Sequence, residues 1–155
     1  MSRIRKAEPA DAPRLTELYA QLVESPAIRV LPERIEQIAE DPATALFVCE
    51  RDGVVVGSAL VSLCADAMFG FQPFAVVENV VVDEACRGQG AGRDLLRHVE
   101  AFCARRDCSK IMLLSSVQRE AAHRFFEHLG FVGSSKLGFV KYRGRFVVDG
   151  HGRVG

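Results

Sequence analysis

Between residues 76 and 92 the sequence combines a carboxylate, an arginine and closely spaced glycines. Glu78 lies in an apolar, β-branched segment, and Arg87 is followed by Gly88 and Gly90. Glycines at alternate positions permit tight turns that aim several backbone N–H groups into one hollow. The helix predicted to follow adds its unpaired N–H groups and the positive end of its dipole. The segment therefore predicts a site for a phosphate-bearing molecule, with Arg87 at its edge.

Two common phosphate-binding motifs do not fit this spacing. A dinucleotide-binding fingerprint requires a third glycine at the position that Arg93 occupies. A P-loop requires Gly-Lys-Ser/Thr after four free positions, and this segment has no such sequence. The alternative is a glycine-rich turn that only caps a helix. The succession of strand, loop, arginine and helix favours the phosphate site.

The arrangement Arg87-x-x-Gly90-x-Gly92 behind a hydrophobic strand resembles the acyl-CoA loop of the GNAT superfamily of N-acetyltransferases. A second resemblance lies about 30 residues further on, where the segment 122–131 is similar to the second signature of that family. Within the family, the segments 78–82 and 108–111 are similar to the branch of glucosamine-phosphate N-acetyltransferases.

The resemblance implies acetyl-CoA as co-substrate and assigns roles to the strand and the loop. The strand would diverge from its neighbour at a bulge, and the backbone of Val80 and Val82 would pair with pantetheine. An N–H near Val80 or Val81 would face the thioester oxygen. Backbone N–H groups of the loop would hold the pyrophosphate, namely those of Gly88, Gln89, Gly90, Ala91 and Gly92.

An acceptor amine must lose a proton before it attacks a thioester. An alkyl ammonium has a pKa of about 10.4, so freeing it at pH 7 costs about 4.6 kcal/mol. A carboxylate beside the slot could accept that proton directly or through water. Glu78 precedes Val80 by two residues, which predicts the same strand face and apolar neighbours, and it is the candidate catalytic base. The alternative is a glutamate that is solvated or paired with a basic residue.

The leaving group marks a departure from the family pattern. The resemblance places a tyrosine, which often protonates the departing sulfur, at the position of Phe126. Phe126 has no proton to donate, but it could pack against pantetheine. A thiol of pKa near 8.5 leaves tolerably as thiolate without assistance. The alternatives as proton donor are Tyr142, His123 and a water molecule. For His123, a structural role with a hydrogen bond to a backbone carbonyl is favoured over acid–base chemistry.

The elements that position these residues predict one α/β domain over residues 1–150 and a loose tail at 151–155. The resemblance implies a mixed, mostly antiparallel sheet of about seven strands with helices on both faces. Asp11 is predicted to cap the first helix, and Asp52-Gly53 to turn a hairpin. Two strands near 131–134 and 139–148 would complete the sheet.

Composition argues against several classes of partner. The net charge is zero and the pI about 6.9, which predicts neither nucleic-acid nor membrane-surface binding. No apolar run approaches a membrane span, and no signal peptide is recognised. Five cysteines without a C-x-x-C pair predict reduced thiols in a cytoplasmic protein. No metal is expected, because the histidines and cysteines lack ligand spacing.

The sequence thus predicts an acyltransferase that moves acetyl to a primary amine of a small molecule by direct attack. A peptide or protein acceptor, a non-catalytic acyl-CoA sensor and an interaction module are the alternatives. The loop before the catalytic strand is rich in large apolar side chains, and with the loop 24–31 it suits either the acceptor pocket or a homodimer interface; these side chains are Met68, Phe69, Phe71 and Phe74.

Overall fold

The computed structural model describes residues 2–147. The chain divides into two compact units, Met1–Leu113 and Leu114–Gly155. The predicted extent of one domain, residues 1–150, stays a prediction. The tail predicted at 151–155 and the end of the strand predicted at 139–148 lie outside the described residues.

The first unit is built on a five-stranded mixed sheet. Its strands are β1 (Arg3–Lys6), β2 (Thr44–Arg51), β3 (Val54–Cys64), β4 (Phe74–Val82) and β5 (Ile111–Leu113), and they are adjacent in that order. Neighbours are antiparallel except β4 and β5, which are parallel. The mostly antiparallel sheet is therefore confirmed, but the prediction of about seven strands is wrong, because residues 2–147 form a sheet of five.

Two helices, α1 (Ala12–Leu22) and α2 (Pro32–Glu40), cover one face of this sheet. Each begins with proline in its first turn, where the missing N–H is tolerated. Leucine and isoleucine at helical spacing then form one apolar stripe on each helix. The stripes pack on alternate residues of β2 and on β4, and the buried members of this core include Leu15, Leu18, Ile35, Leu46, Val48 and Val81.

The opposite face carries the third helix, α3 (Ala91–Arg105). Phe47 lies between Leu46 and Val48 on β2 and therefore points away from α1. Its ring meets His98 and Phe102 of α3 edge to face, with centroids 4.6 and 5.4 Å apart. Helices on both faces of the sheet are thus confirmed. Burial lowers the pKa of His98, and the charge of Arg105 lowers it further.

Asp11 precedes α1, but its carboxylate does not cap that helix. Instead Oδ2 accepts a hydrogen bond from Nη1 of Arg5 at 2.7 Å and another from the backbone N–H of Glu8 at 2.8 Å. Burial alone would raise the pKa of this carboxyl, but the two donors outweigh burial and lower it. The capping prediction is wrong because a cation from β1 lies within reach of the carboxylate.

The second unit contains helix α4 (Glu120–His128). Gly130 ends it in the left-handed conformation with φ of 90°, as predicted from its position. The segment 131–134 and the described part of 139–148 form no strand of the sheet. A β pattern only indicates side chains suited to a sheet, whereas a strand also requires a neighbouring backbone at hydrogen-bonding distance.

Among residues 2–147, no helix is long and apolar enough to cross a membrane. All five cysteines lie within this range and are free thiols. The same part of the chain holds no group of three or more histidine, cysteine, aspartate or glutamate side chains arranged to hold a metal ion.

Candidate functional site

The predicted phosphate loop connects the end of β4 to the beginning of α3. It opens with Asp83, whose Oδ1 accepts a hydrogen bond from the N–H of Ala85 at 3.0 Å. A single 3-10 turn follows over Glu84–Cys86, closed by the N–H of Cys86 on the carbonyl of Asp83 at 2.8 Å. The chain then reaches Gly90, which is the N-cap of α3.

Two glycines in this loop adopt a backbone conformation that other residues rarely take. Gly88 has φ of 75° and Gly90 has φ of 89°, both in the left-handed region. An added Cβ would meet nothing within 4 Å at Gly88, but at Gly90 it would lie 3.2 Å from Nη2 of Arg93. Backbone conformation, rather than lack of space, is therefore the reason for glycine at these two positions.

Three backbone carbonyls at this loop accept hydrogen bonds from within the protein. The Gln89 carbonyl accepts from Nη2 of Arg51 at 2.6 Å, the Gly90 carbonyl from the N–H of Asp94 at 3.0 Å, and the Val82 carbonyl from Nε of Arg87 at 3.2 Å. Among the described residues, none accepts a hydrogen bond from the N–H of Gly88, Gln89 or Gly90. These amides and those of the first turn of α3 are therefore donors that an anion could bind.

The start of the loop is anchored to helix α1, a connection that the local sequence does not indicate. Arg14 donates through Nη2 to Oδ2 of Asp83, and through Nε to the carbonyl of Val55 at 2.8 Å. The backbone N–H of Glu84 donates to Oε1 of Gln21 at 2.9 Å. The hydrogen bond from the Ala85 amide and the Arg14 guanidinium lower the pKa of Asp83. The carboxylate therefore stays ionised and keeps the turn attached to the helix.

A bulge interrupts β4 beside the loop. Leu60 of β3 faces Glu78 and Ser58 faces Val81, so two residues of β4 lie opposite the single residue between them. Asn79 adopts a left-handed φ of 55° at this point. The bulge implied by the family resemblance is therefore present. It changes the alternation of side chains. Regular alternation predicted that Glu78 shares a face with Val80, but across the bulge Glu78 shares a face with Val81 instead.

Beyond the bulge, the three valines of β4 differ in how deeply they are buried. Val81 is buried in the core, whereas Val80 and Val82 are half-buried. Pairing between β4 and β5 covers only Ala75–Val77, so within the first unit residues 78–82 extend past the end of β5. No strand of the first unit pairs with residues 78–82 on that side.

Glu78 itself is exposed to solvent. The apolar surroundings predicted for its carboxylate are therefore wrong, although Glu78 shares a face of the strand with the buried Val81. It nevertheless lies directly before the irregular part of β4, four residues ahead of Val82.

Other sequence candidates lie in the second unit. Phe126 is buried and packs against the rings of Phe125 and Phe131. Nε2 of His123 lies 2.8 Å from the carbonyl oxygen of Ser116, which confirms the structural interpretation of that histidine. Tyr142 is exposed.

The aromatic loop before β4 turns most of its large side chains outward. Met68, Phe69 and Phe71 are exposed, whereas Phe74 is half-buried in β4 with Nζ of Lys110 5.3 Å from its ring centroid. The loop 24–31, between α1 and α2, is also largely exposed.

Comparisons with known proteins agree with this geometry. A sequence profile of the acetyltransferase (GNAT) family matches residues 12–131. An aminoglycoside N(6')-acetyltransferase type 1 from Stenotrophomonas maltophilia is 29% identical over 140 residues, covering 89% of this chain and 91% of that protein. A glucosamine 6-phosphate N-acetyltransferase from Trypanosoma brucei brucei is 29% identical over 133 residues, covering 83% and 87%. The solved structure of a candidate acetyltransferase from Agrobacterium tumefaciens str. C58 is 33% identical, with a TM-score of 0.82 and coverage of 90% and 99%.

Proposed function

Because this chain belongs to the acetyltransferase (GNAT) family, we propose that it transfers acetyl from acetyl-CoA to a primary amine of a small molecule. Membership of this family identifies the chain as an acyltransferase. The identity of the acceptor is what we propose. Two relatives that span most of the chain are named for an aminoglycoside and for glucosamine 6-phosphate. An amine on a sugar ring is therefore the acceptor that we propose.

The observation that carries this proposal is the direction of the backbone groups in the loop 87–92. The carbonyls of Val82, Gln89 and Gly90 are bonded within the protein, and the N–H groups of the two left-handed glycines are left as donors. A diphosphate presents several oxygen acceptors to such a cradle, and the positive end of α3 adds to the attraction. The residues present therefore fit the pyrophosphate of CoA, with the side chain of Arg87 beside it.

The reaction would take place at the bulge in β4. The open edge of residues 80–82 would pair with the amides of pantetheine and align the thioester. An N–H near Val80 or Val81 would donate to the carbonyl oxygen as it gains negative charge. The amine nitrogen forms its bond to the acetyl carbon, the carbon–sulfur bond breaks, and the electron pair leaves with the sulfur as the CoA thiolate.

Glu78 would take the proton that the attacking nitrogen loses. Its exposure at the bulge favours transfer through a water molecule as much as direct contact. Because the thiolate of CoA is a tolerable leaving group, this scheme needs no phenolic acid at the position of Phe126.

An acyl-CoA sensor without turnover is the second candidate, and Phe126 is the feature that favours it. One experiment separates the two. Wild-type protein and Gly90→Val are incubated with acetyl-CoA and a panel of amino sugars, polyamines and peptides, and free thiol is recorded. Release of thiol that depends on an amino sugar supports the proposal. Binding of CoA by calorimetry without thiol release from any amine would support the sensor.

A further inference from the structure

Arg51 lies far from the loop 87–92 in the sequence but forms two hydrogen bonds with it. It ends β2, and 38 positions separate it from Gln89. Its Nη2 donates to the backbone carbonyl of Gln89 at 2.6 Å and its Nη1 to the side-chain oxygen of the same residue at 3.2 Å. Its Nε donates to Oγ of Ser2 at 2.8 Å, which fixes the third edge of the guanidinium.

These bonds determine how one peptide group of the loop is oriented. In a trans peptide the carbonyl and the following N–H point in opposite directions. All described peptide bonds are trans, so holding the Gln89 carbonyl against Arg51 directs the N–H of Gly90 away from Arg51. A charged donor on the carbonyl also polarises the peptide and makes its N–H a stronger donor.

We propose that Arg51 is a positioning residue for CoA binding, which orients and polarises the Gln89–Gly90 peptide so that the Gly90 N–H faces the diphosphate. The proposal rests on the proposed function for the identity of the ligand. Arg51 acts through the backbone of the loop and does not itself contact the ligand. Its effect is therefore on the affinity for CoA and not on the chemical step.

The test uses the full chain with Arg51→Ala, Arg51→Lys and Gln89→Ala, and with Arg97→Ala as the control. Arg97 is an exposed arginine of α3, and no described residue bonds to its side chain. We expect Arg51→Ala to weaken CoA binding at least fivefold by calorimetry and to raise KM for acetyl-CoA equally, with kcat within twofold. Arg51→Lys keeps one donor and should lose less. Gln89→Ala keeps the backbone carbonyl that Arg51 bonds and should lose less than Arg51→Ala, whereas Arg97→Ala should stay within twofold of wild type.

A second measurement examines the ligand-free protein. The ¹⁵N heteronuclear NOE of Gly88 and Gly90 should fall in Arg51→Ala and remain unchanged in Arg97→Ala. An unchanged NOE in Arg51→Ala, or CoA binding within twofold of wild type, would overturn the proposal. A loss in Gln89→Ala as large as that in Arg51→Ala would also overturn it, by assigning the effect to the side-chain amide. If wild-type protein binds no CoA, the proposed function fails, whereas the NOE result still decides the role of Arg51 in the loop.

Discussion

Replacing Gly90 by valine tests whether the left-handed backbone of the phosphate loop is required for CoA binding. Gly90 has φ of 89°, a conformation that costs a non-glycine residue about 1–2 kcal/mol. A relaxed loop in the variant must recover this conformation when it binds, so the cost appears in the affinity. At about 1.4 kcal/mol per factor of ten, this corresponds to roughly 5- to 30-fold, and a β-branched side chain lies at the upper end.

The steric neighbour of Gly90 contributes less than its backbone. The Cβ of a new side chain would lie 3.2 Å from Nη2 of Arg93, but that arginine side chain is 54% exposed and can swing outward. Gly88 has a similar φ of 75° with no atom within 4 Å of a new Cβ. Gly88→Val therefore isolates the backbone term, and we expect a loss comparable to that of Gly90→Val.

The assay is calorimetric titration of each variant with CoA, together with thermal unfolding to show that the fold is retained. We expect Gly90→Val to bind at least tenfold more weakly than wild type. Gly90→Asn adds a side chain of similar size, but asparagine tolerates the left-handed region, so a loss of about threefold or less is expected. Equal losses in the valine and asparagine variants, or no loss in the valine variant, would refute the argument from backbone conformation.

Glu78→Gln should lower turnover at least tenfold at pH 7 and less near pH 10, where about a quarter of an amine of pKa about 10.4 is already deprotonated without a base. A ratio to wild type that does not change with pH would exclude Glu78 as the base. The lowered pKa of Asp83 stabilises the folded state above the carboxyl's ordinary pKa of about 4, and this contribution is lost as the pH falls through the depressed folded-state pKa. Asp83→Asn should therefore lower the free energy of unfolding by about 1–3 kcal/mol at pH 7. Denaturant titrations should show that the difference between wild type and variant becomes smaller towards pH 3. A difference that is the same at both pH values would contradict the role of the Asp83 carboxylate. Phe126→Tyr should raise turnover less than tenfold, because the thiolate leaves with little assistance. The variant should also have a lower Tm, because it buries a hydroxyl. A gain in thiol release of tenfold or more would mean that protonation of the sulfur limits the wild-type enzyme.

Several features of the fold follow from short segments and could be predicted. The Asp52-Gly53 turn takes left-handed angles of 50° and 78°, and the apolar stripe of α3 is buried from Leu95 to Cys103. These outcomes depend on the conformational preferences of a few consecutive residues and on helical periodicity. The same holds for Gly88 and Gly90, whose spacing predicted tight turns and which the structure places in the left-handed region.

Other features were not accessible from the sequence. The number of strands was overestimated at 131–134 and in the described part of 139–148, because a strand requires a partner backbone and the pattern of one segment does not show whether the partner is there. The face of Glu78 was predicted from regular alternation, which the extra residue at Asn79 shifts by one. A register shift depends on both strands, so no single segment contains it.

Residues adjacent in the chain are enough to specify that a strand, a glycine loop and a helix follow one another. The contacts of Arg51 with the Gln89 carbonyl and of Arg14 with Asp83 span 38 and 69 positions and form only when the chain folds. Such bonds form where the folded sheet and helices bring remote side chains within hydrogen-bonding distance. Local preference therefore gave the loop its shape, and long-range packing decided the direction of its peptide groups.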